Sequence, residues 1–199
     1  VIHPVIDYKY IVDKPVFGGE LGFNFNLTSL SRTQASFDPI NNVANNLNLC
    51  NNTTADPAIR STQNCVLRGA PGNYSRLSAE AEWKKALTDP IGMMWTPFLK
   101  LRGDVTSMNI DNQPGVSNFL DTSNTQVARG MATAGLEWRY PLINVQSWGT
   151  NTLEPIAQII ARPNETKVGQ LPNEDAQSFV FDDGNLFRVD KFAGWDRVE

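Results

Sequence analysis

Few residues in this chain are of the types that do chemistry. There is one histidine, His3, and there are two cysteines, Cys50 and Cys65. A Ser-His-Asp constellation would have to use His3, which sits in an apparent strand at the start of the chain. Glu80 and Glu82 lie two residues apart, on one face of an alternating segment. They could mimic a carboxylate pair for acid–base work, but the same positions suit charges on a wet face. Asp182-Asp183-Gly184-Asn185 has a calcium-loop flavour, yet it lacks the spaced acidic pattern and the distal Glu, so it reads as a turn. Neither cysteine belongs to a second ligand pair, which argues against zinc. Asn26-Leu27-Thr28, Asn52-Thr53-Thr54, Asn73-Tyr74-Ser75 and Asn164-Glu165-Thr166 fit the glycosylation pattern, as chance allows in Asn-rich loops. The expectation is therefore no catalytic residue, no metal and no cofactor. What remains is Cys50 and Cys65, close together in one Asn-rich stretch. That spacing suits a local disulfide formed in an oxidising compartment, with Cα atoms roughly 4.4–6.8 Å apart. Two free thiols are the alternative.

Composition narrows the class. The net charge of −4 is mixed along 199 residues, so there is no basic footprint for nucleic acid. The longest apolar runs are only a few residues, too short for a transmembrane helix. A barrel is not excluded, because a membrane strand alternates lipid-facing and lumen-facing residues and keeps a modest mean hydropathy. No signal peptide is recognisable. The chain starts within an apparent strand at Val1-Ile2-His3 and stops at Asp196-Arg197-Val198-Glu199, where another strand could begin. These ends read as an internal piece of a longer protein, a single partial domain over residues 1–199.

The elements that position these residues announce themselves by period-two alternation, repeated six times. Ile2, Ile6, Tyr8 and Tyr10 oppose Asp7 and Lys9. Leu21, Phe23, Phe25 and Leu27 oppose Glu20, Asn24, Asn26 and Thr28. Leu77, Ala79, Ala81 and Trp83 oppose Ser78, Glu80, Glu82 and Lys84. Trp95, Leu99, Leu101 and Val105 oppose Lys100, Arg102, Asp104 and Thr106. Ala132, Ala134, Leu136, Trp138 and Tyr140 oppose Thr133, Glu137 and Arg139. Leu153, Ala157, Ile159 and Ala161 oppose Glu154, Gln158 and Arg162. The spacing predicts antiparallel strands near 2–12, 19–29, 75–86, 93–107, 127–140 and 151–162. A long insertion at about 30–73, with almost no periodic structure, and polar loops at about 109–124 and 163–191 separate them. Pro97 and Pro155 fall inside segments, where each removes a ladder hydrogen bond.

Three features point to an all-β, up-and-down meander from a transmembrane barrel in the bacterial outer membrane. Connections alternate between short and long, as outer-membrane barrels do. Tyr10, Trp83, Trp95, Trp138 and Tyr140 all lie on the apolar face close to short connections, where an interfacial girdle would sit. The opposite face carries mixed charges suited to a watery lumen lined by cross-strand ion pairs. On this reading Phe25 points into the bilayer and Asn26 into the lumen. Six strands are fewer than the eight of the smallest common barrels, so the sheet should not close by itself. A soluble β-sandwich binding module would use similar strands.

Three stretches resemble the barrel domain of the LptD family of outer-membrane lipopolysaccharide-assembly proteins. They are Gly130–Pro141, Leu153–Gln158, and the run from Asn173-Glu174-Asp175 to Trp195-Asp196-Arg197. The last is the most specific, with Phe181-Asp182-Asp183, Asn185-Leu186-Phe187 and Phe192-Ala193-Gly194-Trp195-Asp196-Arg197. The resemblance covers everything except roughly 31–72. It implies a protein that receives lipopolysaccharide from a periplasmic bridge and inserts it into the outer leaflet, with a lipoprotein partner inside the barrel. The chain matches strands from the middle of that barrel. Family members also carry cysteines that tie their periplasmic domain to the barrel; Cys50 and Cys65 do not match that arrangement. A passive porin or other transporter barrel is the competing function. For Phe192–Arg197 two readings stand: a loop folded into the lumen, where Asp196 and Arg197 pair with other charges, or a turn that starts a strand.

Overall fold

Alternating β-branched, aromatic and polar residues favour extended chain wherever one face differs from the other, and the long alternating segments form the sheet. A computed structural model describes residues 1–51, 59–167, 169–176, 182–192 and 194–197. In chain order the elements are β1 Ile2–Ile11, β2 Glu20–Arg32, β3 Ser36–Pro39, α1 Asn42–Asn46, β4 Cys65–Gly69, β5 Gly72–Lys84, β6 Leu87–Thr88, β7 Met94–Ile110, a 3₁₀ turn at Val116–Asn118, β8 Gln126–Arg139, β9 Leu142–Gln146, β10 Gly149–Leu153 and β11 Ile156–Ala161. The main sheet runs β1-β2-β5-β7-β8-β11, every neighbour antiparallel, with β6 on the edge of β7. This is the expected meander. Its first and last strands do not pair with each other.

Pairing carries like faces across the sheet: Tyr8, Phe25, Ala79, Gly103 and Gly130 form one row, and Asn26, Ser78 and Asp104 an adjacent one. The apolar face is the exposed one. Along β7, Leu99, Leu101 and Val105 are 44%, 50% and 59% exposed, whereas Arg102, Asp104 and Thr106 are buried. A half-buried sheet in water shows the opposite arrangement. Part of the polar face is covered by the chain's own loops, which gather at one end of the sheet and fold back over it, while Asp7, Lys9, Glu20 and Lys84 toward the other end stay exposed. We call the covered end the loop end, and the opposite one the turn end.

Three expectations need correction. The 30–73 insertion is not without regular structure: β3 pairs with β4, and α1 is capped by the Asn41 side chain, which accepts from the Ala44 amide. Cys50 and Cys65 are joined in a disulfide with Cα atoms 5.7 Å apart. Second, the covered face is not charged throughout. At the loop end Tyr74, Met108, Ile110 and Val127 turn inward and meet Phe37, Ala44, the disulfide, Val116 and Leu120 in an apolar core. The sequence pattern missed Tyr74, Met108 and Ile110 because β5 and β7 run further toward the loops than predicted. Gly72 starts β5 at φ 108°, where an added Cβ would stand 2.1 Å from the Asn109 carbonyl oxygen; only glycine tolerates both.

Third, the sixth segment is divided. Residues 151–153 belong to β10, which pairs with β9, and only β11 continues the main sheet. The connection between the fifth and sixth segments is therefore not a short turn but a hairpin that stands off the sheet. Pro155 causes the break, because it cannot donate to the ladder. Pro97 is different. It lies within an unbroken β7 and meets the gap between β5 and β6, where the Lys85 amide donates to the Pro97 carbonyl and no return bond is required.

Candidate functional site: a loop clamped to an arginine row

The covered face of three adjacent strands presents Arg76 from β5, Arg102 from β7 and Arg129 from β8. Alternation fixes their direction, since each occupies an inward position of its strand. Asp104, opposite Arg129 in the register, bridges two of them: its carboxylate lies 3.1 Å from Arg102 Nε and 2.7 Å from Arg129 Nη2. Each of the four side chains is at least 96% buried. Buried charges at this density persist only when they are paired and hydrogen-bonded; here Arg76 Nε alone among the row's Nε atoms is buried without a partner.

The missing acceptors come from the end of the chain. Asp175 binds Arg76 Nη2 at 2.8 Å. The Asp196 carboxylate accepts from Arg76 Nη1 and, at 2.5 Å, from the Tyr74 hydroxyl. The Trp195 carbonyl accepts from Arg102 and from Arg129 Nη2, and the Asp196 carbonyl accepts from Arg129 Nη1 at 2.8 Å. The Trp195 ring lies 5.0 Å from the Arg102 guanidinium carbon, in cation–π contact.

The two loop segments also hold each other. Asp175 Oδ1 accepts from the amides of Trp195 and Asp196 at 3.0 and 2.8 Å. In return, Asp196 Oδ2 accepts from the amides of Glu174 and Asp175 at 2.6 and 3.0 Å. So close an approach excludes a side chain at position 194: a Cβ on Gly194 would meet the Asp175 backbone carbonyl at 2.5 Å. Glu174 extends the clamp to the insertion, accepting from the Ala70 amide at 2.7 Å and from Arg32 at 2.8 Å.

Electrostatics divide the two aspartates. Burial pushes Asp196 above the usual carboxylate range and the neighbouring Asp175 adds to this, against the pull of Arg76. Burial works against the Asp175 charge too, but the Arg76 bond and the Trp195 and Asp196 amides outweigh it and hold that carboxyl low. Glu174 is raised, chiefly by burial. Every carboxylate in the clamp is engaged by donors. This arrangement fixes a loop in place rather than poising a nucleophile or base.

The sequence-predicted residues fall into separate groups. Trp195, Asp196 and Gly194 belong to the clamp. Arg197 lies 4.3 Å over the Phe192 ring. Asp182 and Asn185 close a turn, each accepting from the other's amide. Leu186 is exposed and Phe187 half-buried. Phe181 lies outside the described residues. Cys50 and Cys65 belong to the neighbouring apolar core. Glu80 pairs with Lys100 at 2.8 Å and forms no carboxylate couple. Arg76, Arg129 and Tyr74 escaped the sequence reading. Their signal was period-two phase: Arg76 and Arg129 lie within the strands predicted at 75–86 and 127–140, in step with Ser78 and Thr133, and only Tyr74 needed a longer strand.

No curated protein and no solved structure matches this chain. A family model does: LptD, described as LPS transport system D, matches residues 2–199. With its antiparallel meander and its Asn173–Arg197 run, this chain belongs to the LptD family of lipopolysaccharide transport proteins.

Proposed function

We propose that this chain forms a wall segment of an outer-membrane barrel that inserts lipopolysaccharide into the outer leaflet. One observation carries the reading: the sheet exposes its apolar face, whereas Arg76, Arg102, Asp104 and Arg129 on the opposite face are covered. Phe25, Leu27, Leu77, Leu99, Leu101, Val105 and Leu136 form a belt that water would penalise and lipid would not. Family membership supplies the cargo, lipopolysaccharide, moved without bond chemistry. The family resemblance supplies the partners: a periplasmic bridge that delivers the lipid and a lipoprotein seated in the barrel. The clamped loop lines the lumen side of the wall, and Phe192–Arg197 serves as a lumen loop rather than as the start of a strand.

Nitroxide labels at Phe25 and Glu82 in reconstituted full-length protein test the placement. The label at 25 should respond to oxygen dissolved in lipid. The label at 82 is on the inner face of the same sheet and should respond to a water-soluble relaxation agent. Aqueous access at both positions would refute the membrane reading.

A further inference from the structure

The β9–β10 hairpin is explained neither by the clamp nor by the main sheet. It continues the β8–β11 pairing without a slip: Arg139 faces Ile156 and Leu142 faces Leu153, with two residues intervening on each strand. The intervening residues are Tyr140-Pro141 and Glu154-Pro155, so each strand carries a proline within the same two-residue gap, with Tyr140 opposite Pro155 and its amide donating to the Pro155 carbonyl. At about 3.3 Å per residue, the Gln146–Gly149 end reaches roughly 20 Å beyond the Met94–Arg139 pair. Every residue of β9 and β10 is exposed.

Its chemistry is distinctive. From Tyr140 through Leu153 there is no charged residue. Leu142 and Leu153 pair across one face, while Ile143 and Val145 occupy the other. Trp148, in the connecting turn, is 72% exposed. At the base, Trp95, Trp138 and Tyr140 form a run of rings with centroids 6.3 and 6.5 Å apart. That run belongs to the exposed apolar face and leads directly into the hairpin.

We infer that this hairpin is a membrane-interface anchor, lying in the headgroup layer at the turn end of the sheet. The inference rests on the proposed bilayer placement of the outer face. A protein partner docking on a flat strand pair would cover one face and leave the other wet. The hairpin carries apolar side chains on both, interleaved with Asn144, Asn151, Thr150 and Thr152, and offers no charge for a partner to pair with. The headgroup layer meets both conditions, since it surrounds the element and tolerates amides and hydroxyls. Tryptophan and tyrosine are the side chains that favour this depth. The free strand edges keep the hairpin out of the hydrocarbon, where their amides would go unsatisfied. The two prolines in this gap supply the place to bend toward the lipid.

The test uses full-length protein in phosphatidylethanolamine–phosphatidylglycerol vesicles, with a fluorophore at Trp148→Cys or, separately, at Phe25→Cys. Both cysteines of this chain are tied in the disulfide. Position 148 is exposed, so the change should leave folding intact. Lipids spin-labelled near the headgroup should reduce emission from position 148 by roughly twofold, and more than lipids labelled deep in the chain. Position 25 should show the reverse preference. If 148 responds only to an aqueous quencher while 25 remains lipid-quenched, the anchor is overturned and the barrel reading stands. Shielding of 148 from both quenchers would mean that a second copy or another protein covers it, and would overturn the anchor too. Aqueous quenching at both positions would sink the barrel reading and the anchor with it.

Discussion

The two faces of β7 are built from the same seventeen residues and obey opposite rules. Outward, Leu99, Leu101 and Val105 are exposed apolar groups; inward, Arg102 and Asp104 are buried charges. The outer face would be held by its solvent, through burial of apolar area with no geometric demand. The inner face is held by directed bonds, where the guanidinium groups need acceptors at fixed places. A nonspecific face tolerates exchange among apolar residues, whereas a directed one fails when a single partner is lost.

The largest effect is expected on the inner face. Arg76→Ala leaves the buried Asp196, and beside it the partly exposed Asp175, without their cation, which should cost about 3–5 kcal/mol of loop docking. Hydrogen exchange at the amides of Glu174, Asp175, Trp195 and Asp196 should accelerate by orders of magnitude, while amides of the β2–β5 ladder should not. Equal acceleration in both would mean that the arginine supports the whole sheet and not the clamp.

Phe25→Arg is the matching break on the outer face, at about 2–4 kcal/mol for a cation near mid-bilayer. The contrasting position cannot be Asn26. Although Asn26 points inward as expected, it is buried, donates to Asp7 at 2.7 Å and accepts from Arg76 at 2.9 Å. Asn26→Arg would therefore set one cation against another. Glu82→Gln is the better contrast and should change stability by less than about 0.5 kcal/mol. Urea-driven unfolding from vesicles would measure both; equal costs at 25 and 82 would erase the distinction between the faces.

Removing the disulfide by Cys50→Ser with Cys65→Ser should cost about 2–3 kcal/mol, mostly through a freer unfolded chain. The loss should concentrate in the lobe around Phe37 and Ala44 and reach the clamp only weakly, through Glu174. Limited proteolysis of oxidised and reduced protein would locate it. First cleavage near Asp196 rather than in the lobe would show that the bridge secures the loop.

The smallest effect is on pH. Asp196 and Glu174 are raised in the folded state, so their contribution favours docking at low pH and fades as pH rises through their folded values. Asp175 is lowered, so its contribution holds above the unfolded value and is lost as pH falls through the folded one. Amide protection at Trp195 should therefore hold or rise from about pH 7 to 5, and decline only below about pH 4, as Asp175 begins to protonate. A steady fall from neutral pH would contradict the assignment of the two aspartates.

By itself the sequence determined the strands, their facing and their order. Period two is a local property of extended chain, so Leu99 and Lys100 declare opposite faces without reference to any other segment. The Asn173–Arg197 run gave the family for the same reason, because it is contiguous. Tertiary structure alone decided what covers the charged face. Asp196 meets Tyr74 and Arg76 across about 120 residues, and no local pattern encodes which arginine a distant carboxylate will find. It also decided that the 141–154 connection is a hairpin, since alternation in Leu142–Gln146 is legible only once Gly149–Leu153 is seen to pair with it. The physical reason is common to both. Backbone direction follows from a residue and its neighbours, whereas a buried charge is defined by whatever long-range partner neutralises it.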